Sequence, residues 1–111
     1  MLNHIHLIVQ SSDVAGFVRD FKKHTARKLI ENLEKTEPRV ADLFKDPQDR
    51  YSIWQETNMP QVIQSEKFFR QKNTYIEQNP VRKKYVDEIS HWLYSSAHKN
   101  KKIIISSLFD L

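Results

Sequence analysis

Apolar positions alternate with polar ones at the start of the chain and then shift to helical spacing. Ile5, Leu7 and Val9 fall on one side of an extended segment over residues 3–10, with His4, His6 and Ile8 on the other. The pattern predicts a strand whose first set meets the core. Ser11, Ser12 and Asp13 offer helix caps, and Val14, Phe17, Val18, Phe21, Thr25, Leu29, Ile30 and Leu33 recur at the spacing of a long amphipathic helix ending near Lys35. Residues 36–50 read as an excursion, with one turn of helix around Val40 to Phe44. Short strands are expected at 51–55 and 61–64, on either side of the breaker Asn58-Met59-Pro60, with Trp54 as a packing residue. Ser65 can cap a further helix that carries Phe69 and Ile76 on one stripe; Pro80 stops or restarts it, and a second short helix through Val81 to Val86 follows. Ile103-Ile104-Ile105 suggests a terminal strand. The sum is an α+β fold. No fixed-period repeat and no linker divides the chain, so residues 1–111 are expected to form one domain.

Composition narrows the chemistry. Eighteen Lys and Arg face fourteen Asp and Glu, a formal charge of +4 with a pI near 9.4, which suits a polyanionic partner as well as a plainly solvated surface. Absence of cysteine excludes disulfides and thiolate metal sites, and a single glycine excludes a Gly-rich phosphate loop. No apolar run approaches the roughly 20 residues that cross a bilayer, and the start lacks a signal-peptide pattern, so no membrane partner and a cytoplasmic location are the default expectations.

Two places carry candidate chemistry. A His-x-His pair on a strand puts His4 and His6 on one face about 6 to 7 Å apart, within reach of one cation, although two ligands alone make an incomplete site. Tyr75 and Asn79 lie four apart, so a helix sets the phenol one turn from the amide, with Lys72 on the same face. On the predicted helix that ends near Lys35, Arg19, Lys23 and Arg27 recur every four residues, with Lys22 and Lys28 beside them, as a rail that could follow a phosphate backbone.

Taken together, these segments resemble a family pattern. His4-Ile5-His6 is similar to the His-hydrophobic-His motif of the single-tyrosine HUH transposases. Met1-Leu2-Asn3-His4-Ile5-His6 resembles the metal strand of the REP-associated tyrosine transposases in particular. Phe21-Lys22 with Thr25-Ala26, Trp54-Gln55, Ser65-Glu66-Lys67-Phe68-Phe69, Tyr75-Ile76 with Asn79-Pro80-Val81-Arg82, and Tyr94-Ser95-Ser96 follow in the family's order. The resemblance implies a metal-dependent enzyme in which Tyr75 attacks single-stranded or hairpin DNA, forming a 5′-phosphotyrosine link and then rejoining strands. It implies that His4, His6 and Asn79 hold a divalent metal, Mg2+ or Mn2+, and Lys22, Lys23, Lys72 and Arg82 are assigned to DNA backbone contacts. It further implies a ferredoxin-like antiparallel sheet with helices on one face. The family's usual strand-helix-strand before the histidine strand is absent here, so a sheet completed in a homodimer is expected, and the catalytic competence of the shortened chain is left open. The alternatives are a truncated, non-catalytic protein that binds single-stranded or hairpin DNA, and a small α+β interaction domain with incidental histidines.

Overall fold

The computed structural model describes residues 4–100. In order they form α1 (Val14–Thr36), α2 (Pro38–Asp42), α3 (Glu66–Arg82) and one 3-10 turn (Ile89–His91). The chain divides into two compact units, Val9–Pro60 and a second made of Met1–Ile8 with Gln61–Leu111.

In the first unit α1 starts where its cap chemistry dictates. The Asp13 carboxylate accepts from the Gly16 amide at 2.9 Å, satisfying one of the first-turn donors that no helix can pair internally. Gly16 suits this position because a Cβ there would collide with the capping carboxylate of Asp13. At the other end the Glu37 amide closes onto Leu33 O, and Pro38 opens α2, a first-turn position where its missing N–H costs nothing. Ile30 and Leu33 of α1 and Ala41 of α2 are the buried hydrophobic side chains of this unit among the described residues.

A loop then turns the chain back. Asp46 Oδ1 accepts from the amides of Gln48 and Arg50, bonds that hold its carboxyl below the usual carboxylate range, and Asp49 adopts the left-handed conformation with φ 61°. From there residues 51–55 return antiparallel to α1 and are tied to it by side chains. The Tyr51 hydroxyl donates to Glu34, Trp54 Nε1 donates to Thr25 Oγ1 at 3.0 Å, and Lys22 Nζ donates to the Gln55 carbonyl at 2.9 Å. Trp54 therefore packs, as its sequence context predicts, against Phe21. Thr25→Val should leave the indole N–H of Trp54 without its acceptor at a cost of about 1–2 kcal/mol. Thermal denaturation should register this as a fall of roughly 5–10 °C in Tm; an unchanged Tm would mean that the bond contributes nothing net.

In the second unit Ser65 caps α3 by accepting from the Phe68 amide, and Glu66 pairs with Arg70 one turn on. The helix does not stop at Pro80. It runs through to Arg82, and the separate helix expected over Val81 to Val86 is replaced by a turn in which Lys83 bonds back to Asn79, Tyr85 bonds back to Pro80, and Lys84 takes φ 63°. Proline is tolerated so near the end because the lost donor deprives only the Ile76 carbonyl, with little helix left to kink. Tyr85 stacks on Trp92, joining the 3-10 turn to α3.

The predicted ferredoxin-like antiparallel sheet is not formed. Among the described residues there is no strand; one isolated antiparallel bridge joins Lys45 to Tyr51. Alternation extends a chain, but a strand exists only when a second segment takes up its N–H and C=O groups. Residues 51–55 spend their contacts on α1, and 61–64 and 4–10 have no ladder partner among the described residues. The expected facing of the first segment is also reversed: Ile5 and Leu7 are 54% and 51% exposed, whereas His6 and Ile8 are the partly buried positions. The terminal strand predicted at 103–105 lies outside the described residues.

Candidate functional site

Positions 68, 72, 75, 79 and 82 of α3 repeat at three and four residues and so form one stripe. The stripe carries Phe68, Lys72, Tyr75, Asn79 and Arg82. Tyr75 stands at its centre and is 51% exposed. Around its ring are the Lys72 ammonium at 6.0 Å from the centroid, the Arg82 guanidinium at 4.2 Å and, edge-on, the His6 ring at 6.3 Å. His4 in turn meets His6 edge-to-face, with centroids 5.2 Å apart. The two segments singled out by sequence are therefore in contact within one unit, through His6 and Tyr75.

Asn79 is 4% exposed, and its burial follows from its place one turn after Tyr75, immediately before the fully buried Pro80. Among the described residues, the buried side-chain polar atoms without a hydrogen-bond partner are His6 Nε2 and Asn79 Oδ1. Buried acceptors are normally satisfied, since leaving one unpaired costs about 1–3 kcal/mol. One belongs to the ring that meets Tyr75 edge-on, the other to the side chain one helical turn after it. Partial burial first, then the nearby His4, lower the pKa of His6, with Arg82 adding to the effect. His6 is thus neutral at neutral pH and keeps a lone pair for ligation. Among the described residues no three His, Cys, Asp or Glu side chains cluster.

The remaining predicted DNA contacts are distributed differently. Lys22 and Lys23 belong to the other unit; Lys22 is engaged with the Gln55 carbonyl, and Lys23 is exposed on α1. Lys72 lies over the rings of Phe68 and Tyr75. Arg82 lies over Tyr75 and donates from Nη2 to the Tyr75 carbonyl at 3.0 Å. Its seven-residue spacing from Tyr75, two helical turns, was the signal that it shares the tyrosine's face.

A protein of Haemophilus influenzae (strain ATCC 51907 / DSM 11121 / KW20 / Rd) named as a REP-associated tyrosine transposase is 28% identical to this chain over 107 residues. The likeness is distant. It covers 90% of this chain and 56% of that protein, so the chain spans about half the length of the relative it matches. No family model matches the chain, and no solved structure matches it significantly. Among the described residues no helix is long and apolar enough to cross a membrane.

Proposed function

We propose that this chain is a transposase-type DNA strand-transfer protein with Tyr75 as its nucleophile. The observation that carries the reading is the pairing of a half-exposed tyrosine with two buried, unpartnered acceptors, His6 Nε2 and Asn79 Oδ1. The distant likeness to a protein named as a REP-associated tyrosine transposase supports it.

In this reading the Tyr75 Oη attacks a scissile phosphorus of single-stranded or hairpin DNA. The Oη–P bond forms as the P–O3′ bond breaks, the phenol gives up its proton, and the leaving 3′ oxygen gains one. The phosphotyrosine ester keeps the energy of the broken linkage, so a 3′-hydroxyl can reverse the step and join strands without ATP. A phenol is a weak nucleophile until it gives up its proton, so the step needs a proton acceptor. Lys72 and Arg82 supply positive charge beside the ring.

His4, His6 and Asn79 would hold a divalent cation, Mg2+ or Mn2+, whose chemistry when bound is to polarise the phosphate and offset charge in the transition state. Two imidazole nitrogens and one amide oxygen fit such an ion, and Mn2+ better than Mg2+, because imidazole favours the first-row metal. Lys23, exposed on α1, carries a charge suited to a sequence-independent phosphate contact.

The test is incubation of the protein with end-labelled hairpin-bearing single-stranded DNA and Mn2+, followed by denaturing electrophoresis. A protein–DNA adduct that peptide mass spectrometry maps to Tyr75 is expected. Salt-sensitive DNA binding without any adduct would overturn the strand-transfer reading in favour of a binding protein.

A further inference from the structure

We infer that Arg82 is a positioning residue for Tyr75: its guanidinium clamps the tyrosine by the ring face and by the main chain at once. The inference rests on the strand-transfer reading above and assigns to Arg82 a task other than gripping the DNA backbone.

The geometry is specific. The guanidinium carbon lies 4.2 Å from the Tyr75 ring centroid, and Nη2 of the same group donates 3.0 Å to the Tyr75 carbonyl. A planar fork can do both, one face lying on the ring while an edge N–H reaches the backbone. Helix direction favours this, because side chains lean toward the N-terminal end of their helix and a long side chain at 82 therefore points back over position 75. The helix ends at Arg82 itself.

The need for a clamp follows from exposure. Tyr75 is half in solvent, and a tyrosine so placed can choose among side-chain rotamers unless something holds it. Lys72 approaches the ring from the preceding turn and His6 meets it edge-on, and the guanidinium adds the nearest of the three contacts, at 4.2 Å. A nucleophile must dwell near its attack geometry, and a displacement of about 1 Å can cost on the order of 100-fold in rate. A phosphate contact, by contrast, would change affinity and its salt dependence and leave the rate of the saturated complex alone.

Arg82→Ala and Arg82→Lys separate these roles. DNA affinity is measured by fluorescence anisotropy across a salt series, and adduct formation under single turnover at saturating hairpin DNA with Mn2+. Positioning predicts a rate lowered about 10- to 100-fold, affinity changed by less than about 3-fold, and no rescue by lysine, which keeps the charge but not the planar fork. Weaker affinity, a salt slope reduced by about one and an unchanged saturated rate would overturn it. A second arm uses the free protein: ring current from Tyr75 should shift the Arg82 side-chain proton resonances upfield, and Tyr75→Ala should return them. Unshifted resonances would overturn the clamp. If the wild-type protein forms no adduct, the strand-transfer reading fails by that result, and the ring-current arm still decides whether the clamp exists.

Discussion

Tyr75→Phe should eliminate the covalent protein–DNA adduct while leaving the fold in place. Removal of an enzymatic nucleophile typically costs on the order of 10⁴-fold or more, so the adduct should drop below detection on a denaturing gel. The phenylalanine keeps the ring, and with it the Arg82 stack and the edge contact with His6. Because the residue is half exposed, loss of its hydroxyl should shift Tm by no more than a few degrees, as surface changes generally do. DNA affinity should also survive, since the phosphate contacts lie on other side chains. An adduct of undiminished yield in Tyr75→Phe would move the nucleophile elsewhere, with Tyr94, whose side chain is largely in solvent, as the first residue to replace.

The second large effect concerns Asn79, where stability and ligand binding should move in opposite directions. A buried amide whose oxygen has no partner is held at a cost of about 1–3 kcal/mol, so Asn79→Leu, similar in size and apolar, should melt at the same temperature as the parent or higher when both are metal-free in EDTA. Mn2+ affinity, read by calorimetric titration, should fall on the order of 100-fold, the upper end of what loss of a supporting group around a metal costs. Such a trade-off is the mark of a residue retained for a ligand. If Asn79→Leu instead lowers Tm by several degrees and binds Mn2+ as the parent does, the amide serves the fold and the proposed ligand set is wrong.

How far these features could be read from the chain varies with the range of the interaction. The caps were legible, Asp13 before α1 and Ser65 before α3, because a cap is a contact between residues three apart. The same holds for the one-turn relation of Tyr75 to Asn79. The absence of a sheet among the described residues was not legible, since the pattern Ile5-His6-Leu7-Ile8 says only that the chain extends, and pairing depends on what a distant segment does. Residues 51–55 illustrate this: their strand-like composition is used to lay Tyr51 and Trp54 along α1. Pro80 misled in a different way. A proline signals a break, yet at the last turn of a helix it removes one hydrogen bond only, and α3 continues just far enough to bring Arg82 back over Tyr75. That contact joins a charged residue to an aromatic one two turns away, and charge alone suggested DNA.

The two halves of the candidate site differ in how firmly they are held. Lys72, Tyr75, Asn79 and Arg82 share one hydrogen-bonded helix, whereas His4 and His6 sit on an extended stretch with no strand partner among the described residues. Docking of the histidine stretch therefore rests on side-chain contacts such as that of His6 with Tyr75, and any fraction of molecules in which it is undocked weakens ligand binding in proportion. Affinity can then be tuned from outside the ligand set. A substitution that packs Ile8 more firmly would tighten binding by lowering that fraction, without altering a single ligating atom.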